Sequence, residues 1–591
     1  MKAKNLFFGA LTCLAFAACS NDDEPVVNGA QAEGENAYIA VQLVMPGGNS
    51  STRAWNDTDN YAKGSDDETA VSTADFFFFN ADGTKAQNRV PIVGNQFNEW
   101  ESNEESTVSI NKTSTAVLVL EDKVKPAYVV VVLNMPSALR IEYATLSDLR
   151  KTFNDNLSAT GTGGKFVMSN SVYKKGEEYL YGTPITEKNI GYGATVAEAR
   201  TNIQETLTIP VERVLARVTV GYKDSENFDY ADNEITNIYD SENNKMTTTV
   251  EEVVPYITGW WLHNTNKNSY LVKNYDDVDF SSFTATGSDL ASEWWNDPTD
   301  LRSYWANAYH KSDEYAKYRY GAANNKDKYC FENTNSDHAT TLMVAATLMR
   351  SVGGTMKSVD LVQWVNMNFL SANDFKKFAA TRLASLGYTK KIGGTESTIT
   401  ADDLKFIYNV ADDASTTSID ESQLNDKNWK TRMGLTNSEA KLVLNSTEIT
   451  DVEAELLQTS VIGIFKYYNG GQTYFFTKIQ HEPAYEETTN AIIRNHLYKL
   501  TIGKITGLGT PVPNEQDGSE SDPTTPTPTP DPENPEYPDP DDPNYPDPTD
   551  PDDPDQPIDP ETPTDDHSAI DAVLQILKYR VVSQDVNLDN K

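Results

Sequence analysis

Alternating apolar and polar side chains recur along this chain and predict β-strands. The first run, AYIAVQLVM at residues 37–45, places Ile39, Val41, Leu43 and Met45 on one face. Successive side chains of a strand point to opposite sides of its sheet, so this run predicts a half-buried strand. Similar runs predict strands at 75–79, 115–120, 128–133, 205–209, 214–222, 253–262, 269–272, 328–332, 340–349, 461–468, 474–479 and 496–505.

A few segments carry the end signals of helices instead. Residues 147–156, with Ser147 as the N-cap, and residues 196–204 are predicted to be helical. Residues 371–386 predict a longer helix, which Gly387 ends because glycine readily adopts the left-handed conformation found there.

The balance of these elements predicts an all-β protein with short helical insertions. Two tandem β-sandwich domains are expected, over residues 54–223 and 224–510. In the second, Asn469-Gly470-Gly471 separates two predicted strands and indicates a hairpin.

The last predicted strand follows a long proline-rich stretch. Residues 570–588, IDAVLQILKYRVVSQDVNL, are apolar on both faces, which predicts a strand covered on both sides. Its apolar positions are Ile570, Ala572, Leu574, Ile576, Leu577, Tyr579, Val581, Val582, Val586 and Leu588. Residues 511–566 hold 18 of the 28 prolines, 19 Asp or Glu and no Lys or Arg. This composition predicts a solvated Pro/Asp-rich linker over 511–567 that reaches ~170 Å, and a spacer alone does not require a terminal strand.

Length and charge limit the number of domains and the partners to be expected. A chain of 591 residues is too long for one core, so more than one domain is expected. The net charge of −39 argues against a nucleic-acid partner, because phosphates would be repelled.

The first 19 residues have the pattern of a lipoprotein signal peptide. Lys2 and Lys4 precede a short apolar stretch, which ends in Phe16-Ala17-Ala18-Cys19. This pattern predicts that residues 1–19 are the signal segment, that the signal is removed just before Cys19, and that Cys19 becomes the lipidated (palmitate) N-terminus, which would attach the precursor to the outer membrane. The alternative is an ordinary signal peptide followed by a chance cysteine. Because Cys13 leaves with the signal, no intramolecular disulfide is expected in the mature chain.

No set of residues indicates catalysis, a metal site or a cofactor. The six histidines are scattered and are expected at the surface or at strand edges. Cys330 is expected to be a buried strand residue. The tryptophans at 260, 261, 294, 295 and 305 leave two interpretations open, core aromatics or a platform for stacking sugars. A non-enzymatic protein is therefore expected, and a surface glycan-binding lipoprotein is the alternative function.

Seven stretches in order resemble the fimbrillin family of the Bacteroidales, and most closely the shaft subunits of its short, or minor, fimbriae. They are the Cys19 motif, VMPGGNSSTRAW at 44–55, VERVLARVTV at 211–220, TGWWLHNTNKNSYLVKN at 258–274, YCFENT at 329–334, AIIRNHLYKLTIGKITGLGTP at 491–511, and the linker with its terminal strand. The resemblance covers nearly the whole chain except the insertions near 276–325 and 351–455.

The resemblance implies how such a chain matures and assembles. It implies two transthyretin-like sandwiches, export as a lipoprotein, and cleavage by a trypsin-like, arginine-specific protease, here between Arg53 and Ala54. Arg53 is the first Lys or Arg after Lys4 and lies in a small polar loop, where proteases cut readily. Removal of propeptide 20–53 would release the strand at 37–45 and open a groove for residues 568–591 of another copy.

The implied product is a homopolymer on the cell surface. Its expected partners are other copies of this chain, minor anchor and tip subunits, and unknown host or bacterial receptors. The expected role is an extracellular fimbrium, or pilus, that supports adhesion, biofilm formation and virulence.

Overall fold

The computed structural model describes most of the predicted globular part and the C-terminal strands. The described ranges are 36–39, 61–93, 101–102, 110–272, 315–316, 325–481, 490–512 and 568–588. Within them, gaps lie at 122–123, 137–138, 142, 150–151, 155–164, 171–172, 176–177, 181, 194, 223–228, 232–233, 241, 243–245, 247–249, 336–337, 411–429 and 578. The described residues form many strands and a few short helices, which confirms the all-β prediction.

Elements of the first part of the chain run as follows. The strands are β1 (Asn36–Ile39), β2 (Tyr61–Ala62), β3 (Thr73–Phe79), β4 (Val90–Val93), β5 (Glu101–Ser102), β6 (Ile110–Leu120), β7 (Tyr128–Leu133), β8 (Thr152–Asn154), β9 (Met168–Asn170), β10 (Tyr173–Lys175), β11 (Glu178–Leu180), β12 (Thr183–Pro184), β13 (Gly191–Gly193), β14 (Leu207–Arg213), β15 (Leu215–Tyr222), β16 (Asp229–Ala231) and β17 (Glu234–Ile235). The helices are α1 (Leu146–Leu149) and α2 (Val196–Thr201).

Elements of the second part follow in the same order. The strands are β18 (Glu251–His263), β19 (Thr265–Asn266), β20 (Asn268–Tyr270), β21 (Tyr315–Ala316), β22 (Lys328–Phe331), β23 (Thr341–Val352), β24 (Thr355–Ser358), β25 (Leu361–Trp364), β26 (Met367–Phe369), β27 (Tyr388–Ile392), β28 (Thr395–Ser397), β29 (Leu404–Val410), β30 (Lys430–Leu435), β31 (Lys441–Leu444), β32 (Thr447–Glu448), β33 (Ile464–Tyr468), β34 (Gln472–Lys478), β35 (His496–Thr506), β36 (Thr510–Pro511), β37 (Ser568–Leu577) and β38 (Tyr579–Leu588). The helices are α3 (Ala372–Ser385) and α4 (Val452–Leu457), and no described helix is long and apolar enough to cross a membrane.

The first sheet encloses the N-terminal core. Its strands follow the order β1-β13-β37-β14-β9-β7-β3-β4, with β6 paired to β37. The run of phenylalanines in β3 and the valines of β7 are buried, and Leu118 of β6 and Ile209 of β14 close the same core. β-Branched and aromatic side chains favour strands because they pack well on a pleated surface.

The chain passes from the first core to the second at Val214. β14 pairs in the first sheet, whereas β15, which follows it directly, pairs with β22 and β35 in the sheet β2-β38-β35-β15-β22. Opposite this second sheet lies the sheet β17-β18-β23-β34-β36, and side chains of both sheets share one core. Trp260 of that core is 1% exposed, so the core interpretation holds for it, and Trp261 is also buried. Cys330 is buried in β22 as predicted, and burial raises the pKa of its thiol to about 12.

A third core, not foreseen from the sequence, forms around α3. This helix packs between the sheets β26-β25-β33-β30-β29 and β28-β27-β31-β32, within the range predicted as one sandwich. Ser371 caps its N-terminus by accepting a hydrogen bond from the Asp374 amide, and Gly387 has a φ of +87° just after its end. The helix predicted at 371–386 is therefore confirmed.

Two local predictions were wrong. Among the described residues of the helix expected at 147–156, α1 begins one residue earlier, because Thr145 rather than Ser147 exchanges capping hydrogen bonds with Asp148, and residues 152–154 form β8 instead of helix. The turn at Asn469–Gly471 is not a hairpin: β33 pairs with β25 and β30, whereas β34 pairs with β23 and β36. Each partner strand lies far away in sequence, so tertiary pairing decided both outcomes.

Three of the histidines expected at the surface are buried. His263 and His481 are fully buried, and His496 is 1% exposed. Nδ1 of His481 lies 2.9 Å from the Tyr498 hydroxyl, and Nδ1 of His496 lies 2.8 Å from the Arg494 carbonyl oxygen. Each of these contacts engages one ring nitrogen, which offsets part of the cost of burying His481 and His496.

Candidate assembly site

The first feature of the site is the position of β37 between β6 and β14 in the first sheet. β37 pairs antiparallel with β6, from Ser568 opposite Leu120 to Leu577 opposite Ile110. On its other edge it runs parallel to β14, with Ala572–Ile576 opposite Leu207–Val211. Among the described residues, β6 has only the two-residue β5 as a further partner. Without β37, β6 would be separated from the rest of the sheet, and its buried residues would lose their cover.

The second feature is β38, which completes the second sheet. It runs parallel to β35, from His496 opposite Arg580 to Ile505 opposite Leu588, and antiparallel to β2. Val586 is 2% exposed and packs in the core shared by the two facing sheets. The terminal segment therefore completes a sheet at each of two cores.

This arrangement corrects the prediction of one continuous strand. The segment 570–588 is divided into β37 and β38, which end and begin on either side of residue 578. β37 carries the predicted positions Ile570, Ala572, Leu574, Ile576 and Leu577, and β38 carries Tyr579, Val581, Val582, Val586 and Leu588. The two halves belong to different sheets, which an apolar pattern alone does not reveal.

The predicted released strand is described only over β1. There it pairs antiparallel with β13 and parallel with the start of β37, where Tyr38 and Ile39 lie opposite Ala569 and Ile570. The strand predicted to be removed and the strand predicted to be donated are thus neighbours in one sheet. The predicted positions Val41, Leu43 and Met45, the lipidated Cys19, and the bond Arg53–Ala54 lie outside the described residues.

The segment that follows the predicted cleavage bond is held at the junction of the two cores. Glu68 is 1% exposed, and its carboxylate accepts hydrogen bonds from the Tyr329 hydroxyl (2.8 Å) and from Nη1 of Arg217 (3.2 Å). The Glu68 carbonyl oxygen accepts a 2.8 Å hydrogen bond from Nε of the fully buried Arg213. Because β2 lies in the same segment, this cluster anchors the chain that borders β38.

The charge balance of this cluster favours ionised Glu68. Burial raises its pKa, but the charges of Arg213 and Arg217 and the hydrogen bonds from Ser65 and Tyr329 outweigh burial, so the pKa lies below the usual 4.5. A carboxyl group whose pKa falls on folding stabilises the fold above its unfolded pKa, and this contribution is lost as pH falls through the folded pKa.

We therefore expect Glu68→Gln to lower the free energy of unfolding by about 3 kcal/mol near neutral pH, because it leaves buried cationic groups without their counter-charge. The difference between variant and parent should shrink as pH falls below the usual Glu value. Urea unfolding followed by tryptophan fluorescence at several pH values measures it. Glu448→Gln, at an exposed ion pair with Lys391 and Lys441, is the control and should change stability little. A pH-independent difference would contradict this account of Glu68.

Four of the sequence stretches that carried the resemblance meet at the same junction. Arg494 and Glu332 form a fully buried ion pair, with Nη2 of Arg494 2.8 Å from Oε1 of Glu332. The same guanidinium donates to the carbonyl oxygens of Tyr270 (2.6 Å) and Leu271 (3.3 Å). Next to it, Nη1 of Arg213 donates to the Asn495 side chain at 2.9 Å. These stretches therefore share a structural task, which is to join the two cores.

No group of three or more His, Cys, Asp or Glu side chains within the described residues could hold a metal ion. What the arrangement does provide is a pair of slots for a terminal strand, bordered by the segments before and after the predicted cleavage bond. Its chemistry is that of backbone hydrogen bonding and apolar burial, which makes it a candidate assembly site.

Comparison with known proteins gives one family match. Residues 466–557 match the family described as "Major fimbrial subunit protein type IV, Fimbrillin, C-terminal". The match includes β34, β35 and β36, and it extends into the predicted linker. No curated protein matches this chain.

Solved structures with low similarity include two fimbrial proteins. A fimbrial assembly protein from Parabacteroides distasonis has 12% identity and a TM-score of 0.17, covering 50% of this chain and 78% of its own. The tip fimbrial protein Mfa3 from Porphyromonas gingivalis, with a C-terminal truncation, has 10% identity and a TM-score of 0.21, covering 63% of this chain and 96% of its own.

Proposed function

The chain belongs to the fimbrillin family, as predicted from its sequence, and from this premise we propose that it is the shaft subunit of a surface fimbria that polymerises by donor-strand exchange. The observation that carries the proposal is the pairing of β37 and β38, which complete two sheets from the far end of the stretch 512–567. Because that stretch can extend to ~170 Å, the same strands can reach a neighbouring subunit.

Exchange between copies requires no new type of contact. The slots that β37 and β38 fill within one chain are identical in every copy, so a neighbour's strands can make the same pairings. Swapping an identical element between protomers is a low-cost route to association, and a head-to-tail contact that does not close yields a filament. The acceptor part precedes the linker and the donor part follows it, so each subunit keeps a free donor at one end and a free acceptor at the other.

Maturation would set the moment of exchange. In the proposed sequence, Cys19 is lipidated and carries the precursor to the outer membrane, where a trypsin-like protease cuts after Arg53. The cut removes β1, which borders β13 and the first residues of β37. With β1 gone, β37 loses its parallel partner at Ala569 and Ile570, and its own slot becomes easier to open. Anchor and tip subunits would begin and end the filament, whose role is adhesion.

The glycan-binding alternative gains no support from the described residues. A sugar platform requires exposed aromatic faces, whereas Trp260 is buried in the second core and Trp261 is buried in a separate cluster with Met343 and Tyr474. The other tryptophans of this alternative, at 294, 295 and 305, lie outside the described residues.

Cleavage after Arg53 is expected to trigger polymerisation. The chain from residue 20 would be treated with an arginine-specific protease and run unboiled on a denaturing gel, with mass spectrometry locating the cut. We expect a ladder after cleavage, no ladder for Arg53→Ala, and no ladder after deletion of 568–591. Clean cleavage at Arg53 that leaves only monomer would contradict donor-strand exchange, since the site would then be processed without opening to another copy.

A further inference from the structure

One side chain of β38 is polar although it lies in the core between two sheets. Gln584 is 8% exposed and stands opposite Leu500 of β35. The next residue on the same face, Val586, is 2% exposed and packs among apolar groups. A buried primary amide is costly unless both its oxygen and its nitrogen find partners, so its position requires an explanation.

Both ends of the Gln584 amide are bound to the main chain at the end of β34. Its Oε1 accepts a hydrogen bond from the Gln480 amide at 3.1 Å, and its Nε2 donates to the Lys478 carbonyl oxygen at 3.3 Å. These two backbone groups flank Ile479, just where β34 ends. In a parallel ladder, one residue likewise bonds to the carbonyl and amide groups on either side of its partner. At this point the Gln584 side chain thus makes the two hydrogen bonds that the backbone of a further parallel strand would make.

We propose that Gln584 sets the register of the donor strand in the second sheet. This inference rests on the proposed donor-strand exchange and adds to it the residue that specifies alignment. Apolar alternation alone excludes only slips by one residue, which would turn the core face of the strand outward. A slip by two residues keeps every side chain on its face, so the apolar positions tolerate it.

The amide excludes this second kind of slip. A slip by two residues would bring Val582 or Val586 opposite Leu500, and neither valine can bond to Lys478 and Gln480. The Gln584 amide would at the same time move away from both backbone groups. The Gln480 amide and the Lys478 carbonyl would lose the Gln584 side chain as their partner, and that side chain would lose both hydrogen bonds. Only the observed register joins the amide to its two partners.

Cysteine cross-linking in the full chain from residue 20 reads the register directly. Lys499 is exposed on β35 and stands opposite Ser583. Neighbouring residues of paired strands lie at a spacing that a disulfide can bridge. Lys499→Cys with Ser583→Cys therefore reports the observed register, and Lys499→Cys with Asp585→Cys reports a slip by two residues. Mass spectrometry after mild oxidation gives the yield of each.

Two changes of the amide test the proposal in these backgrounds. Gln584→Met keeps the side-chain length and removes both hydrogen bonds, and it should lower the ratio of observed to slipped cross-link by about 10-fold. Gln584→Val combined with Val586→Gln moves the amide by two residues and should reverse the preference. If both variants keep the parental ratio, Gln584 is merely accommodated and the proposal is wrong. If the double variant forms neither cross-link, the ratio for Gln584→Met decides alone.

The same gels separate this inference from the function on which it rests. Cross-links between chains after protease treatment support exchange, because the bonded cysteines then lie in different subunits. Cross-links only within a chain would contradict exchange, while the ratio of the two cysteine pairs would still report the register.

Discussion

A chain with Val586→Asp is expected to be cut after Arg53 yet to remain monomeric. Val586 is 2% exposed and contributes to the core between the second sheet and the facing sheet β17-β18-β23-β34-β36, together with Tyr498, Leu500 and Ile502 of β35. Loss of its burial costs about 1.5–3 kcal/mol, and an aspartate at the same position also has to be desolvated or protonated. Because β38 is held by backbone pairing and by a few inward side chains, this penalty falls on the donor strand itself.

Val250→Asp is the matched control. It makes the same replacement of valine by aspartate at a position that is 55% exposed. Both proteins would be treated with the arginine-specific protease and analysed unboiled by gel and by size-exclusion chromatography. We expect a ladder for Val250→Asp and a single monomer band for Val586→Asp. A full ladder from Val586→Asp would mean that β38 does not enter the contact between subunits.

Local pattern was sufficient to predict several long strands of the first two cores, but it indicated none of the strands β25–β32 around α3. Residues 128–133 were predicted from a run of valines, and β7 has those limits. The alternation in the strands that became β18 and β23 also identified their existence, although both extend further than predicted. These elements are predictable because the period of two in a half-buried strand is a property of the segment itself.

Pairing between distant segments was not predictable in this way. The residues 469–471 have hairpin composition, but their flanking strands find partners in two different sheets. The terminal segment reads as one apolar strand, yet it divides between two sheets because the acceptor slots lie in different cores. Sequence periodicity can indicate that both faces of a strand are buried. It does not indicate which elements cover each face.

Gln584 was missed for a related reason. A glutamine within an apolar run is read as the solvent-facing position of an alternating strand, and only the position of Lys478 and Gln480 across the core shows otherwise. The sequence does contain one sign of this role, because Gln584 is a polar residue two positions before Val586 and therefore lies on the same face of the strand. In a segment predicted to be covered on both sides, such a residue must have a buried partner.

Breaking the Arg494–Glu332 pair is expected to have the largest effect on stability. Both side chains are fully buried, and the same guanidinium also holds the Ser269 hydroxyl at 3.1 Å. Arg494→Met leaves the Glu332 carboxylate buried without its counter-charge, so the free energy of unfolding should fall by about 3–5 kcal/mol. Glu332→Met together with Arg494→Met removes both charges and should recover a large part of that loss. Urea unfolding of the parent, the single variant and the double variant measures each step.

The double variant distinguishes a charge effect from a packing effect. If the loss in Arg494→Met came from the hydrogen bonds to Tyr270 and Leu271 alone, removing Glu332 as well would add to it instead of reversing it. Recovery would show that the uncompensated carboxylate dominates. The pair would then contribute little net stability, and its role would be to fix how β20, β22 and the start of β35 meet. Because β35 is the strand on which β38 lies, such a loss of alignment at the junction should also reduce polymer yield in the single variant.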